Sequence, residues 1–369
     1  LRQLAKTYDN LAKDLLEAYR KRAVQCLLLE DLEEIDRFTG SFALGDGQPA
    51  PAEFRLYKSN LAVLPMASQS FQWRLADLDS VRFDDAAYEV VLESGSDRLR
   101  VSKLAKRTGE FASKVQDAVS ELATQSVQAL HTAFPFLNPD QLRDAANLLR
   151  EGRSAMVANL DAIHPNFSTA LAADVVDRNL KPYFDELVKR TAKGQLYAGF
   201  KIIRAEAGEE PGGDDAAAGS EEDVSAGLDA DKTGPPTLYW FFFPIARRAG
   251  SSEIANLVAW EASSTSGRAT YFFRLIDPAK ASDLRDAQVR EAAMRRLNRV
   301  LGMLNFRRRP IYLSDDELAL DPKFRRYAIA TRRMPEVREV RANFLGRAIH
   351  SSVDTWKDQF EAILKMSAG

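Results

Sequence analysis

Apolar residues at the start of the chain recur at helical spacing. Leu4, Tyr8, Leu11, Leu15 and Tyr19 follow one another at three- and four-residue steps with Lys and Asp between them, which predicts an amphipathic helix over 1–34. Cys26-Leu27-Leu28-Leu29 is a more continuous apolar patch where such a helix docks. A short coiled-coil seam is the other reading of the same spacing. From 38 onward the period changes to two. Strands are predicted at 38–44, 53–58, 61–66, 70–76, 79–84, 87–93 and 98–102. Phe71, Trp73 and Leu75, and again Tyr88, Val90 and Leu92, alternate so that each strand has one buried face. Ser59-Asn60, Asp84-Asp85 and Ser94-Gly95-Ser96-Asp97 are the turns between them. A helix over 106–131 follows, with Phe111, Val115, Val119 and Leu122 on one stripe.

Helical spacing resumes over 134–193. Asn138-Pro139-Asp140-Gln141 is a start signal, with Asn at the cap and Pro at the first helical position. That helix is expected to continue through Gly152 to 163, and a further one over 168–193 to kink or restart at Pro182. Four strands are then predicted, at 196–204, 238–245, 254–263 and 269–276, followed by a helix over 282–305 with Leu297, Leu301 and Leu304 inward. The run Tyr239-Trp240-Phe241-Phe242-Phe243 puts aromatics on both faces of its strand, as in a central strand covered on both sides. Ser314-Asp315-Asp316-Glu317 reads as a capping box, 327–331 as a strand, and 337–365 as a last helix broken near Gly346.

The fold class implied is α+β. It comprises an N-terminal helix (1–34), a seven-stranded antiparallel domain with its closing helix (35–132) and a helical connector (133–194). An α+β sheet domain (195–306) and an Arg-rich, mainly helical segment (307–369) complete it. The second block, strands and then a helix, repeats the plan of the first, so a divergent second copy stands beside a plain sheet domain. Within it, 206–236 holds ten acidic residues with Gly, Ala and Ser and no aromatic, a composition predicting disorder.

The seven-strand block resembles the pleckstrin-homology superfold. Leu75-Ala76-Asp77-Leu78-Asp79-Ser80-Val81, leading into Tyr88-Glu89-Val90-Val91-Leu92, is similar to the middle strands of such a domain. The resemblance is architectural and covers about 95 residues. Phe111 and Val115 stand where many members place a Trp in the closing helix. Arg55 and Lys58 are the only basic residues between Gly40 and Pro65, so the basic pattern of phosphoinositide binders is missing. What the resemblance implies is a protein or peptide partner, held at the open strand edges beside the closing helix.

Composition narrows the chemistry. The chain has 369 residues, 45% of them hydrophobic, and a net charge of −2, which gives no overall pull toward nucleic acid. Cys26 is the sole cysteine, which rules out an intramolecular disulfide and fits a cytoplasmic location. No apolar run approaches the roughly 18 residues that span a bilayer, so stable membrane insertion is not expected. Leu1 in place of Met is consistent with a fragment of a longer chain. The chain has no P-loop, no dinucleotide fingerprint and no nucleophile elbow. His131, His164 and His350 are widely separated, without neighbours at metal-ligand spacing, and no metal, cofactor or catalytic residue is predicted. Glu89 and Glu261 are strand carboxylates able to do acid–base work only if paired in a cleft.

Charge is strongly segregated. From Asp283 to Arg347 there are sixteen Lys and Arg against nine Asp and Glu. Arg307, Arg308, Arg309, Arg325, Arg326, Arg332 and Arg333 are the candidate binding residues, with Tyr312 and Tyr327 interleaved for stacking. The acidic segment is able to occupy this basic region in cis as an autoinhibitor. Three functions follow: a non-enzymatic adaptor that recognises a protein or peptide, a nucleic-acid-binding protein using the Arg-rich third, and an enzyme with a dispersed active site.

Overall fold

The computed structural model describes residues 2–203, 237–263, 269–322 and 324–367. The acidic segment read at 206–236 lies outside the described residues. In chain order the elements are α1 (Arg2–Cys26), β1 (Glu34–Leu44), β2 (Ala50–Tyr57), β3 (Asn60–Pro65), β4 (Phe71–Arg74), β5 (Ser80–Asp84), β6 (Glu89–Ser94), β7 (Asp97–Ser102) and α2 (Thr108–Ala133). Next come α3 (Pro139–Leu148), β8 (Ser154–Met156), α4 (Val157–Ile163), α5 (Phe167–Ala170), α6 (Lys181–Arg190), β9 (Thr191–Ile203), β10 (Thr237–Arg247), β11 (Ile254–Ser263) and β12 (Ala269–Phe273). The chain ends with α7 (Ala287–Met303), α8 (Arg309–Tyr312), α9 (Asp315–Leu320), α10 (Arg325–Arg333), α11 (Pro335–Ala342), β13 (Phe344–Ile349) and α12 (Val353–Ser367). Two compact units result, Leu1–Glu121 with Ser314–Val337, and Leu122–Leu313 with Arg338–Gly369. The α+β class stands.

In the first unit the strands form one antiparallel sheet in the order β4-β3-β2-β1-β7-β6-β5, compatible with barrel-like closure. All seven expected strands are present. Tyr88 departs from its expected place. It sits in the turn before β6 with φ 51 and is 62% exposed. The Asp84 carboxylate accepts the N–H groups of Ala86 and Ala87, both at 3.0 Å. That local turn holds Tyr88 outside the ladder. The core face gathers Phe38, Phe54, Leu61, Val90, Leu92, Leu99 and Val101, and α2 closes it with Phe111 and Val115. The Phe111 ring meets Phe38 edge-on at 5.1 Å and Phe54 at 5.9 Å.

Charged groups tie the start of α2 to β1. Asp36 receives Arg107 at 2.6 Å and Lys114 at 2.5 Å, and both cations also reach Glu110. Hydrogen bonds from Arg107 and Lys114 hold the Glu110 carboxyl down at about 2. A carboxyl depressed in this way favours the folded state above its ordinary range. It loses that contribution as pH falls through the folded value near 2. In a carboxyl NMR titration Glu110 is therefore expected to protonate near pH 2, with the amide signals of the first turn of α2 moving in step. Protonation in the ordinary glutamate range would show that the cluster does not form in solution.

The opposite face of β2 is covered by α1. Arg20 reaches Glu53 at 2.9 Å, and Glu53 takes Arg55 at 2.7 Å. Gln72 donates to the Leu27 carbonyl at 2.8 Å and receives Asn60 at 2.6 Å. Glu53, Arg55, Asn60 and Gln72 are buried, and their mutual bonds avoid the cost of burying them alone.

In the second unit the sheet order is β13-β12-β11-β10-β9-β8, all antiparallel. It has six strands, not the expected four. One addition is β8, in a stretch read as continuous helix. That helix ends at Leu148, and beyond it Gly152, at φ 77, donates its N–H to Phe200 O at 2.7 Å. The other is β13, which replaces part of the last helix and pairs with β12. A second correction concerns 327–331, expected as a strand and found inside α10. Its buried residues Tyr327, Ala328, Ala330 and Thr331 follow a helical stripe. The central position read for Tyr239–Phe243 holds. Trp240 and Phe242 join the cluster of Phe134, Phe167, Phe184, Phe272 and Trp356, whereas Tyr239 and Phe241 face Phe306.

Candidate functional site

The predicted arginines fall into two groups, one in each unit. Arg307 and Arg308 are buried, and the Arg308 guanidinium lies 5.4 Å from the Tyr271 ring and 5.8 Å from Trp260. Arg309 opens the short α8 and is half-buried. Tyr312 stacks on Tyr271 at 6.2 Å, and Arg347 lies over it at 4.9 Å. In this group the cations act as lids on an aromatic layer, as cation–π contacts do. The second group is on α10. Arg326 pairs with Asp31 and lies 5.0 Å over Tyr327, itself buried. Arg332 pairs with Asp316 at 2.9 Å and Asp315 at 3.6 Å, and Arg325 donates to Ala319 O at 3.2 Å. Arg333 is exposed, and its carbonyl accepts Gln69 at 3.1 Å. Neighbouring carboxylates and aromatic rings thus answer many of these charges.

A second candidate surface lies at the sheet edge of the first unit. β5 ends its sheet and has β6 as its one strand partner among the described residues. Val81 and Phe83 share the face of Val90 and Leu92 by register but are only half-buried at the margin. Gln116 on α2 reaches the Val81 carbonyl at 3.5 Å, so the helix flanks this edge, and the half-buried Val119 follows one turn later. Phe83 and the exposed Tyr88 meet edge-to-face at 6.3 Å. The strand's outer residues are fixed electrostatically. Ser80 donates to Glu93 at 2.7 Å and Arg82 pairs with it at 2.8 Å. The bond from Ser80, aided by Arg82 and Arg98, keeps the Glu93 carboxyl below the usual range. An apolar crease beside a strand edge suits an extended peptide, which adds backbone hydrogen bonds and places alternate side chains in the crease.

One chemically loaded cluster escaped the sequence reading. In the second unit, Thr270 donates its hydroxyl to Glu261 at 2.5 Å and accepts the Trp356 indole N–H at 2.8 Å. His350 Nε2 lies 3.0 Å from that hydroxyl and 3.1 Å from Glu261, and Tyr183 stacks on the imidazole at 4.3 Å. Thr270 has one proton, committed to Glu261, so His350 Nε2 carries a hydrogen and donates. A nucleophilic triad needs the two ring nitrogens for two different partners. Here one nitrogen serves both, and Glu261 and Thr270 are fully buried. The cluster cross-links β11, β12, the residue after β13 and α12. Among the described residues, no group of His, Cys, Asp and Glu is placed to hold a metal, and no helix is long and apolar enough to cross a membrane.

No known protein family matches the chain, and no curated protein sequence does. Among solved structures, the C-terminal domain of an unknown protein from Leishmania infantum is similar over 28% of this chain and 98% of its own, at 7% identity and a TM-score of 0.25.

Proposed function

We propose that the protein is a binding module that captures an extended segment of a protein partner along β5, and that its first unit is pleckstrin-homology-like. The observation that carries this is the crease of Val81, Phe83 and Tyr88 beside α2, at a strand edge with one strand partner. The strand order and the closure by Phe111 and Val115 support the fold assignment. Two of the four arginines of α10, Arg326 and Arg332, are matched by Asp31, Asp315 and Asp316, which favours a peptide over a polyanion.

The test is selection of displayed random peptides against the full chain, followed by titration of the best binder. Phe83→Ala with Tyr88→Ala is expected to weaken binding at least tenfold, about 1.4 kcal/mol. Affinity should change little with salt. Binding untouched by the double substitution would reject the β5 site. A steep loss of affinity for a nucleic-acid probe between low and high salt, with no peptide recovered, would favour the arginine reading instead.

A further inference from the structure

The first helix has two apolar stripes on different sides, and the fold uses one. Leu16, Arg20, Ala23 and Val24 lie on the inner side, with Leu16 half-buried, Arg20 bound to Glu53, and Ala23 and Val24 buried. Tyr8, Leu11, Leu15 and Tyr19 lie about 120° around the helix from them, given about 100° per residue, and are 72%, 56%, 62% and 45% exposed. Ala12, Lys13, Asp14, Glu17 and Ala18 between them are exposed as well. A helical segment packed on one narrow side only is marginal in water, so the outward stripe calls for a partner.

The register says which partner. Tyr8 and Leu15 occupy a positions and Leu11 and Ala18 d positions of a heptad, and the spacing extends back to Leu4. Helix pairs that must reject their own copy carry one sign of charge at the flanking e and g positions. Here e holds Ala12 and Tyr19, and g holds Asp14 and Lys21, of opposite sign. Two copies side by side in parallel set Asp14 of one against the Tyr19 hydroxyl of the other, and no like charges meet. The antiparallel register that pairs Leu11 with Leu15 sets Asp14 against Asp14. We propose that α1 joins two copies of this chain through an in-register, parallel coiled coil built on Tyr8, Leu11, Leu15 and Ala18. This is independent of the peptide site on β5.

Sedimentation velocity of the full chain tests it, over concentrations from about 1 to about 100 μM, spanning affinities typical of short zippers. The unmodified chain is expected to shift from monomer toward dimer mass. Leu11→Lys with Leu15→Lys, and separately Leu11→Glu with Leu15→Glu, should each remain monomeric, whereas an equimolar mixture of the two should dimerise. Both positions are exposed, so at a concentration where the unmodified chain is monomeric thermal unfolding should be unchanged, which separates lost pairing from lost fold. Lys13→Glu, off the seam, should leave association as it is. A chain that stays monomeric throughout, or a dimer that survives both double substitutions, overturns the proposal. A mixture that fails to pair overturns the parallel, in-register arrangement.

Discussion

Trp356→Ala is expected to lower the stability of the second unit by about 3–5 kcal/mol. The indole is completely buried, stacked on Phe360 at 5.5 Å and set against Tyr183 at 6.3 Å. Its removal leaves a cavity in the core and withdraws the N–H that Thr270 accepts. Trp356→Phe keeps most of the ring and loses chiefly that hydrogen bond, so its cost should be nearer about 1–2 kcal/mol. Urea unfolding monitored by segment-resolved hydrogen exchange gives both values. Equal losses for the two variants would show that the hydrogen bond, not the ring packing, dominates. A loss below about 1 kcal/mol for the alanine variant would mean that α12 does not pack on the sheet as described.

What the chain discloses by itself depends on how local the signal is. The seven strands of the first unit were readable because most are short, have a buried face and end in a turn such as Asp84-Asp85. The aromatic run at Tyr239–Phe243 was readable for the same reason, since a strand apolar on both sides has few places to go. β8 was hidden because three residues show no period, and what holds the chain beside β9 there is the long-range bond from Gly152 to Phe200. β13 was hidden because its residues are mostly half-buried, which leaves no alternation to count. The strand expected at 327–331 was a wrong choice of period: Tyr-Ala-Ile-Ala alternates in size, but the flanking arginine pairs, seven residues apart, mark two turns of helix.

The site residues were less legible than the fold. An arginine count cannot distinguish Arg308, sunk over Trp260 and Tyr271, from Arg333 at the surface. The Glu261 cluster is the clearest case. Glu261 and His350 are 89 residues apart and become neighbours only through pairing. The ladder Val258–Phe273, Ala259–Phe272 and Trp260–Tyr271 leads on toward Glu261 and Thr270, and Thr270 opposite Ala348 brings His350 close. Nothing in the spacing of one threonine, one glutamate and one histidine announces this. A buried glutamate beside a strand threonine is the sole hint, and it gains meaning once the register is known.

Phe111→Ala is expected to cost the first unit about 3–5 kcal/mol and to leave the second unit's transition in place. Phe111 is fully buried against Phe38 and Phe54, and it is the main apolar anchor by which α2 closes the sheet. The Asp36 cluster cannot hold the helix alone, because its charges are largely exposed and exposed ion pairs contribute little, about 0–1 kcal/mol each. Glu110→Gln should therefore cost far less than Phe111→Ala. The crease beside β5 depends on the same anchor, since Gln116 and Val119 follow Phe111 on the helix. A Phe111→Ala chain held under native conditions should lose peptide affinity together with protection of α2 from hydrogen exchange, whereas Trp356→Ala should keep both. If Phe111→Ala and Trp356→Ala shifted both transitions equally, the two units would unfold as one, and the peptide site would be coupled to the core around Trp356.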